Sequence, residues 1–260
     1  MLLNNGVEIP PLGFGVYQIP AGQPTEQAVL WALEAGYRHI DTASFYKNER
    51  DVGSAIRKSG ISREKIFVTT KLWPTDFFSA EKAFHRSREL LGVEYVDLYL
   101  LHWPSPFGKD RAWKVLEKLF AEKYIRAIGV SNYSIKQIEE LLSWSSFVPA
   151  VNQVEFSPFN YKKDLLEFYQ QKKIIVEAYS PLTRGKRLDD PTLQAVANNK
   201  GKTVAQIMLR WAIQHGLVVL PKSQRRERLI ENAQIFDFEL SADEMRRLDS
   251  LDEQYRALLP

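Results

Sequence analysis

The 260-residue sequence contains no cysteine. That excludes disulfides, thiolate metal sites and a cysteine nucleophile, and it fits a reducing compartment. Long apolar runs are also missing, and nothing approaches the ~18 residues that a membrane helix needs. The opening "MLLNNGVEIPP" lacks the basic start and apolar stretch of a signal peptide. Charge of one sign is scarce: 35 basic residues face 32 acidic ones, for a net charge of +3. So slight a bias does not point to nucleic acid or an acidic membrane as the main partner. Histidine is sparse too. His39, His85, His102 and His215 are scattered, without the ligand spacing of a metal hydrolase. The expectation is a cytoplasmic protein with a small-molecule partner, no metal, no membrane and no nucleic acid.

What is present is order. Apolar residues make up 45% of the chain, enough for a sizeable core. Short β-rich runs recur at 12–17, 37–43, 65–72, 95–103, 125–132, 150–156, 174–180 and 217–223. Segments such as "TEQAVLWALEAG" and "VAQIMLRWAIQHG" lie between them and read as helices, several ending in glycine. Asn5-Gly6 predicts a hairpin turn before the first strand. Strand and helix alternating eight times argue for a parallel sheet with crossover helices, and this length suits one (β/α)8 barrel over residues 1–260. The rival doubly wound nucleotide fold lacks its fingerprint: "GFGVYQ" puts Gln18 where a third glycine belongs, and Pro20 follows rather than a helix.

Barrel active sites form where strands run out into the following loops. The ionisable residues at those ends are Asp41 and Tyr46 after the second strand, Lys71 on the third and His102 on the fourth. Asp41, Lys71 and His102 are spaced 30 and 31 residues apart, one strand–helix unit per step. Singly, each has a plainer reading: a loop cap, a half-buried loop aromatic, a strand end in water, a packed histidine. Four at one barrel rim point to one site. A lysine ammonium would stabilise a phenolate and lower the tyrosine pKa from ~10, and an aspartate would balance the lysine. The histidine would hold a substrate oxygen. Such a centre protonates a carbonyl oxygen while a cofactor delivers hydride to its carbon.

The motifs that carry these residues, "LNNGVEIPPLGFGVYQ", "ALEAGYRHIDTASFYKNE", "YVDLYLLHWP", "IRAIGVSN", "PAVNQVEFSP", "EAYSPL" and "LRWAIQHGLVVLPKS", run nearly end to end. Together the chain resembles the aldo-keto reductase family, in particular its bacterial diketogluconate reductase-like members. The resemblance implies a TIM barrel with extra C-terminal helices, monomeric, binding NADPH across its mouth, with Asp41, Tyr46, Lys71 and His102 as catalytic tetrad. By the same resemblance Ser131, Asn132 and Gln153 hydrogen-bond the nicotinamide carboxamide, and Tyr179 stacks on its ring. Ser180 and Leu182 lie in the loop over the pyrophosphate. Lys222, Ser223, Arg225 and Arg228 match positions around the 2′-phosphate, and Glu231 and Asn232 those near the adenine. "PKSQRRER" supports the phosphate assignment independently, because it follows the last strand and opens a helix, where backbone amides attract anions.

Departures from the family pattern are few. Lys47 stands where glycine is usual, and Thr183 where glycine or serine is. The connection from His102 to Trp113 is short, and the chain ends at Pro260 soon after "LDSLDEQ". An open pocket lined by Tyr17, Trp73 and Trp103 is expected, suited to small aldehydes, ketones, dicarbonyls or keto-sugars. Two other classes remain: a non-catalytic NADPH-binding regulatory protein of the same fold, and a Schiff-base aldolase using Lys71.

Overall fold

The computed structural model describes residues 1–258; the last two positions of the expected 1–260 domain lie outside the described residues. Parallel strands β1 (Phe14–Gly15), β2 (His39–Asp41), β3 (Phe67–Leu72), β4 (Val96–Leu101), β5 (Ile125–Ser131), β6 (Val151–Glu155), β7 (Ile175–Tyr179) and β8 (Val218–Leu220) pair in chain order. Between β8 and the run before β1 the ring is closed by Gly13 N–H donating to Val219 O and Val219 N–H to Pro11 O, both at 2.9 Å. This is the expected (β/α)8 barrel. Each β-rich run is shortened at one or both ends, most of all the first, where only Phe14 and Gly15 keep ladder geometry.

Helices α1 (Gln23–Glu34), α2 (Glu49–Lys58), α3 (Ala80–Leu91), α4 (Lys109–Ala121), α5 (Ile135–Trp144) and α6 (Lys163–Gln171) fill the crossovers in turn. Between β7 and β8 there are two helices, α7 (Pro191–Lys200) and α8 (Val204–Gln214). The expected helix segments do not include α7. Its signal is local: Asp190 accepts from the Thr192 and Leu193 amides, and proline opens the first turn. After β8 come α9 (Arg226–Ala233) and the extra C-terminal α10 (Ala242–Asp249), started by a Ser241/Glu244 capping box.

Strand parity sorts side chains into two cores. Ile40, Val68, Leu72, Tyr99 and Leu101 face outward and meet the helices. Phe67, Leu98, Leu100 and Val218 fill the lower barrel interior together with Leu3 and Ile9 from the N-terminal segment. That segment is the expected hairpin, a single Leu2–Glu8 bridge turning at Gly6, whose φ of 83° suits glycine. Asn4 and Asn5 donate side-chain hydrogen bonds to Pro149 O (3.1 Å) and Arg126 O (2.8 Å), fixing the hairpin under the barrel. The apolar plug closes one end, so any ligand must enter from the other.

Packing inside the ring is tight enough to dictate residue type. A Cβ on Gly129 would lie 2.5 Å from Val151 O and 2.8 Å from Leu100 Cδ2, whereas one on Gly15 would meet nothing nearer than 3.6 Å. Gly129→Ala is therefore expected to destabilise the fold by roughly 1–3 kcal/mol and Gly15→Ala by much less. Urea unfolding of the two variants measures the difference, and equal losses would contradict this packing.

Candidate active site

Above the apolar plug the interior turns polar. Asp41 ends β2 and is paired in register with Thr69, and Lys71 lies two residues further along β3, on the same face. Lys71 in turn pairs with Leu100, with His102 two residues beyond on the β4 side. The stagger of the strands thus brings three residues from three units to one spot. Lys71 has no exposed surface, and its Nζ donates to Asp41 Oδ1 (2.7 Å), Thr42 O (2.8 Å) and Tyr46 OH (3.3 Å). Three donors meet three acceptors, which is what a buried ammonium requires.

Tyr46 reaches that point from a single 3-10 turn, Ser44–Tyr46. Ser44 Oγ donates to Lys71 O (2.9 Å), and Asn48 ties the loop down by accepting from Thr42 Oγ1 (2.9 Å) and donating to Val16 O (3.1 Å). Lys47 closes the turn at φ 58°, ψ 24°, a left-handed conformation. That backbone is why glycine is usual there, and Lys47 adopts it with an exposed side chain.

His102 is 8% exposed and stands edge-on to Tyr46 (ring centroids 5.5 Å) and Trp73 (5.0 Å). Phe45 stacks on Trp73 at 4.1 Å, and Tyr17 lies 4.9 Å from Tyr46. Tyr17, Trp73 and the unanticipated Phe45 thus frame the tetrad. Trp103 is half-buried and, among the described residues, makes no ring contact with this group.

Electrostatics correct one expectation. Tyr46 is not made more acidic: burial, then the negative charge of Asp41 and then Tyr17, push its pKa well above the usual 10. The Lys71 charge is spent mainly on Asp41, 0.6 Å nearer than the phenol by the distances above. At neutral pH Tyr46 is a protonated phenol. His102 is neutral, because burial and then the Lys71 charge hold its pKa well below 6.5. Burial also raises the Asp41 pKa, opposed by Lys71 and by hydrogen bonds from Lys71 and Gln153.

The expected cofactor residues gather on the neighbouring strand ends. Tyr179 OH donates to Asn132 Oδ1 (2.9 Å), and Asn132 Nδ2 donates to His102 O (3.2 Å) and Ser131 Oγ (3.0 Å), linking them to the tetrad. Gln153 also faces the tetrad. Its Nε2 donates downward to Asp41 Oδ2 and Glu177 Oε2, both at 2.9 Å, which leaves its carbonyl oxygen for any ligand above.

Farther round the rim, Arg225 stands at the N-cap of α9 without a side-chain cap bond, the first-turn amides unclaimed, beside exposed Lys222 and Arg228. Ser223 Oγ accepts from Arg225 N–H at 3.0 Å. Arg184, in the loop after β7, comes close enough that its charge, after burial, lowers the Lys222 pKa. Cations converging next to bare helix amides suit a phosphate, with Glu227 the one acidic side chain of that first turn. Arg184 also donates to Gln18 Oε1 (2.6 Å) across the rim, while Ser180, Thr183 and Arg184 all hold positive φ. Leu182 is half-buried in the same loop. Glu231 is already engaged, accepting from Thr203 Oγ1 at 2.8 Å, and Asn232 is buried beside it. Among the described residues no helix is long and apolar enough to cross a membrane, and no cluster of three metal-binding side chains occurs.

Residues 11–253 match the Aldo/keto reductase family. The chain belongs to that family. It is 48% identical over 259 residues to a 9,11-endoperoxide prostaglandin H2 reductase of Trypanosoma cruzi (98% of this chain, 92% of that protein). It is 46% identical to a glyoxal reductase of Bacillus subtilis (98% and 93%). A Bombyx mori aldo-keto reductase crystallised with NADP superposes with a TM-score of 0.93 at 37% identity, covering 99% of this chain and 94% of that one.

Sequence reasoning about this aldo-keto reductase overlooked the buried layer beneath the tetrad: His39, Thr69 and Glu177. A glutamate inside the apolar run "IIVEAYS" was the available signal, since a charged residue rarely sits in a buried strand unpaired. The Lys71–Asp41 pair makes a direct prediction. Lys71→Met strands Asp41 without its cation and should destabilise the protein by about 3–5 kcal/mol, whereas the double variant Asp41→Asn/Lys71→Met should recover much of that loss. Chemical denaturation of both decides it; a double variant no more stable than the single one would mean that the charge is not the cause.

Proposed function

We propose that this aldo-keto reductase reduces aldehydes, ketones or dicarbonyls to alcohols with NADPH, and that Tyr46 is the proton donor. The observation that carries the reading is the Tyr46 hydroxyl, 3.3 Å from the fully buried Lys71 ammonium at the barrel mouth. Reduction needs a group that holds its proton until the carbonyl oxygen becomes negative. Tyr46 is such a group, and Lys71 stands behind it to stabilise the phenolate left by the transfer. His102, neutral, can donate one N–H to the same oxygen and so orient the carbonyl. Tyr17, Phe45 and Trp73 offer an aromatic wall for the rest of a small substrate.

NADPH supplies the hydride when bound. Ser131, Asn132, the Gln153 carbonyl oxygen and Tyr179 would hold its nicotinamide, and Ser180 and Leu182 would lie near the pyrophosphate. Lys222, Ser223, Arg225, Arg228 and the uncapped start of α9 would take the 2′-phosphate, with Glu231 and Asn232 toward the adenine. The relatives' reductase names and the NADP complex of the Bombyx mori enzyme support the same assignment.

Tyr46→Phe is expected to lower kcat for carbonyl reduction by about 100- to 10,000-fold while NADPH still quenches protein fluorescence with unchanged affinity. Retained turnover would remove Tyr46 as the acid. Arg228→Ala should raise KM for NADPH by about tenfold and leave KM for NADH alone, because the lost charge-assisted hydrogen bond serves only the extra phosphate. A steady-state screen of aldehydes, ketones and dicarbonyls with both nucleotides tests the function as a whole, and no oxidation of NADPH by any of them would refute it.

A further inference from the structure

Glu177 lies in the middle of β7, has no exposed surface, and pairs in register with Gln153 on one side and Val218 on the other. Gln153 Nε2 donates to both Glu177 Oε2 and Asp41 Oδ2 at 2.9 Å, so one amide bridges two buried carboxyl groups. The four carboxyl oxygens are unequal. Asp41 Oδ1 receives the ammonium and Asp41 Oδ2 the amide, Glu177 Oε2 receives the amide, and Glu177 Oε1 has no hydrogen-bond partner. His39 Nε2 is 3.7 Å from that last oxygen and is already engaged with Thr69 Oγ1 at 2.9 Å.

An ionised carboxylate with an unsatisfied buried oxygen costs far more than a neutral carboxylic acid in the same place. The charged and titratable groups facing Glu177 are His39 and Asp41 from β2, Lys71 from β3 and, beyond Asp41, Tyr46. Gln153 is neutral and Val218 apolar. With His39 held neutral by burial, its pKa lowered to about 3, one cation and two carboxyl groups share the chamber. Only one of the two can be balanced.

Resting on the proposed carbonyl reduction, we infer that Glu177 is a positioning residue of this site: as an uncharged acid it anchors Gln153 on Asp41 and keeps one negative charge, not two, against the Lys71 ammonium that serves Tyr46. Burial, and then the charge of Asp41, raise the Glu177 pKa to about 8 and so keep the proton in place at neutral pH. Above about 8 Glu177 becomes an anion. A second negative charge then opposes the phenolate that Tyr46 must become, and reduction slows. Below that pH the acid is neutral and has no further effect.

Glu177→Gln keeps the shape and an acceptor for Gln153 but has no proton to lose. At saturating NADPH, wild-type kcat should fall by about tenfold as the pH rises through Glu177's titration, whereas E177Q should match wild type at neutral pH and stay flat. Glu177→Ala, which removes the acceptor as well, should lower kcat at every pH, so that glutamine rescues what alanine loses. Profiles of wild type and E177Q that fall together would overturn the inference, as would E177Q and E177A behaving alike. Infrared titration of the cofactor-free wild-type protein reads the proton directly. A buried carboxylic-acid carbonyl band should be present at neutral pH, vanish on the alkaline side and be missing from E177Q. No such band at neutral pH refutes the assignment even if E177Q folds poorly. That arm also stands apart from the functional reading, since a protein that reduced no carbonyl at all would still report where the proton sits.

Discussion

A lysine ammonium without any exposed surface can persist only where every N–H finds an acceptor, and the mouth of this barrel is built around meeting that demand. Lys71 needs Asp41 from the neighbouring strand, the Thr42 carbonyl just past it, and the hydroxyl of Tyr46. Those requirements fix the course of the chain after β2. Asp41 must end the strand facing inward, Thr42 must turn its carbonyl to the interior, and a single 3-10 turn must return Tyr46 to within hydrogen-bonding reach. Asn48 then braces that turn against Val16. Removing the lysine side chain would leave the aspartate without its cation and the Tyr46 hydroxyl without its donor.

The local strain around the mouth has the same origin. Lys47, Asn132, Ser180, Thr183 and Arg184 all adopt positive φ without being glycine. Such conformations are disfavoured for side-chain-bearing residues and persist where surrounding bonds over-determine them. At Lys47 the turn that presents Tyr46 dictates the backbone. Asn132 is held by hydrogen bonds to His102 O, Ser131 and Tyr179. Thr183 is the sharpest case, being β-branched and buried. The two departures from the family pattern, Lys47 and Thr183, fall where glycine would be conformationally easiest, so the backbone there is set by the fold and not by the residue.

The barrel and the tetrad were legible because both leave periodic marks: strand–helix units repeat, and Asp41, Lys71 and His102 recur at that repeat. What lay hidden was non-periodic. Arg184 gave no signal because its relation to Lys222 joins two loops distant in sequence. Phe45 carried no signal of its own, and only its stack on Trp73 places it at the site. Gln153 was assigned to a ligand by resemblance, yet its amide hydrogens point down to Asp41 and Glu177, a direction that parity alone cannot specify. The lowered tyrosine pKa failed for a related reason. Sequence can place a cation beside a phenol, but it cannot say that the cation is nearer to a carboxylate or that burial outweighs both.

That reversal is compatible with the proposed chemistry. A phenol made acidic enough to ionise at neutral pH would have lost its proton before the carbonyl arrived. A phenol kept protonated by burial retains it, and gives it up only when a more basic alkoxide develops beside it. Lys71 does not need to lower the resting pKa to help. Its contribution grows as negative charge appears on the phenol oxygen, 3.3 Å away and shielded from water. The same logic makes Tyr46 a reluctant base, because the reverse reaction must begin from a phenolate that burial and Asp41 both oppose. Within the proposed function, the chamber beneath the buried pair matters because each extra negative charge there would make the phenolate harder to form.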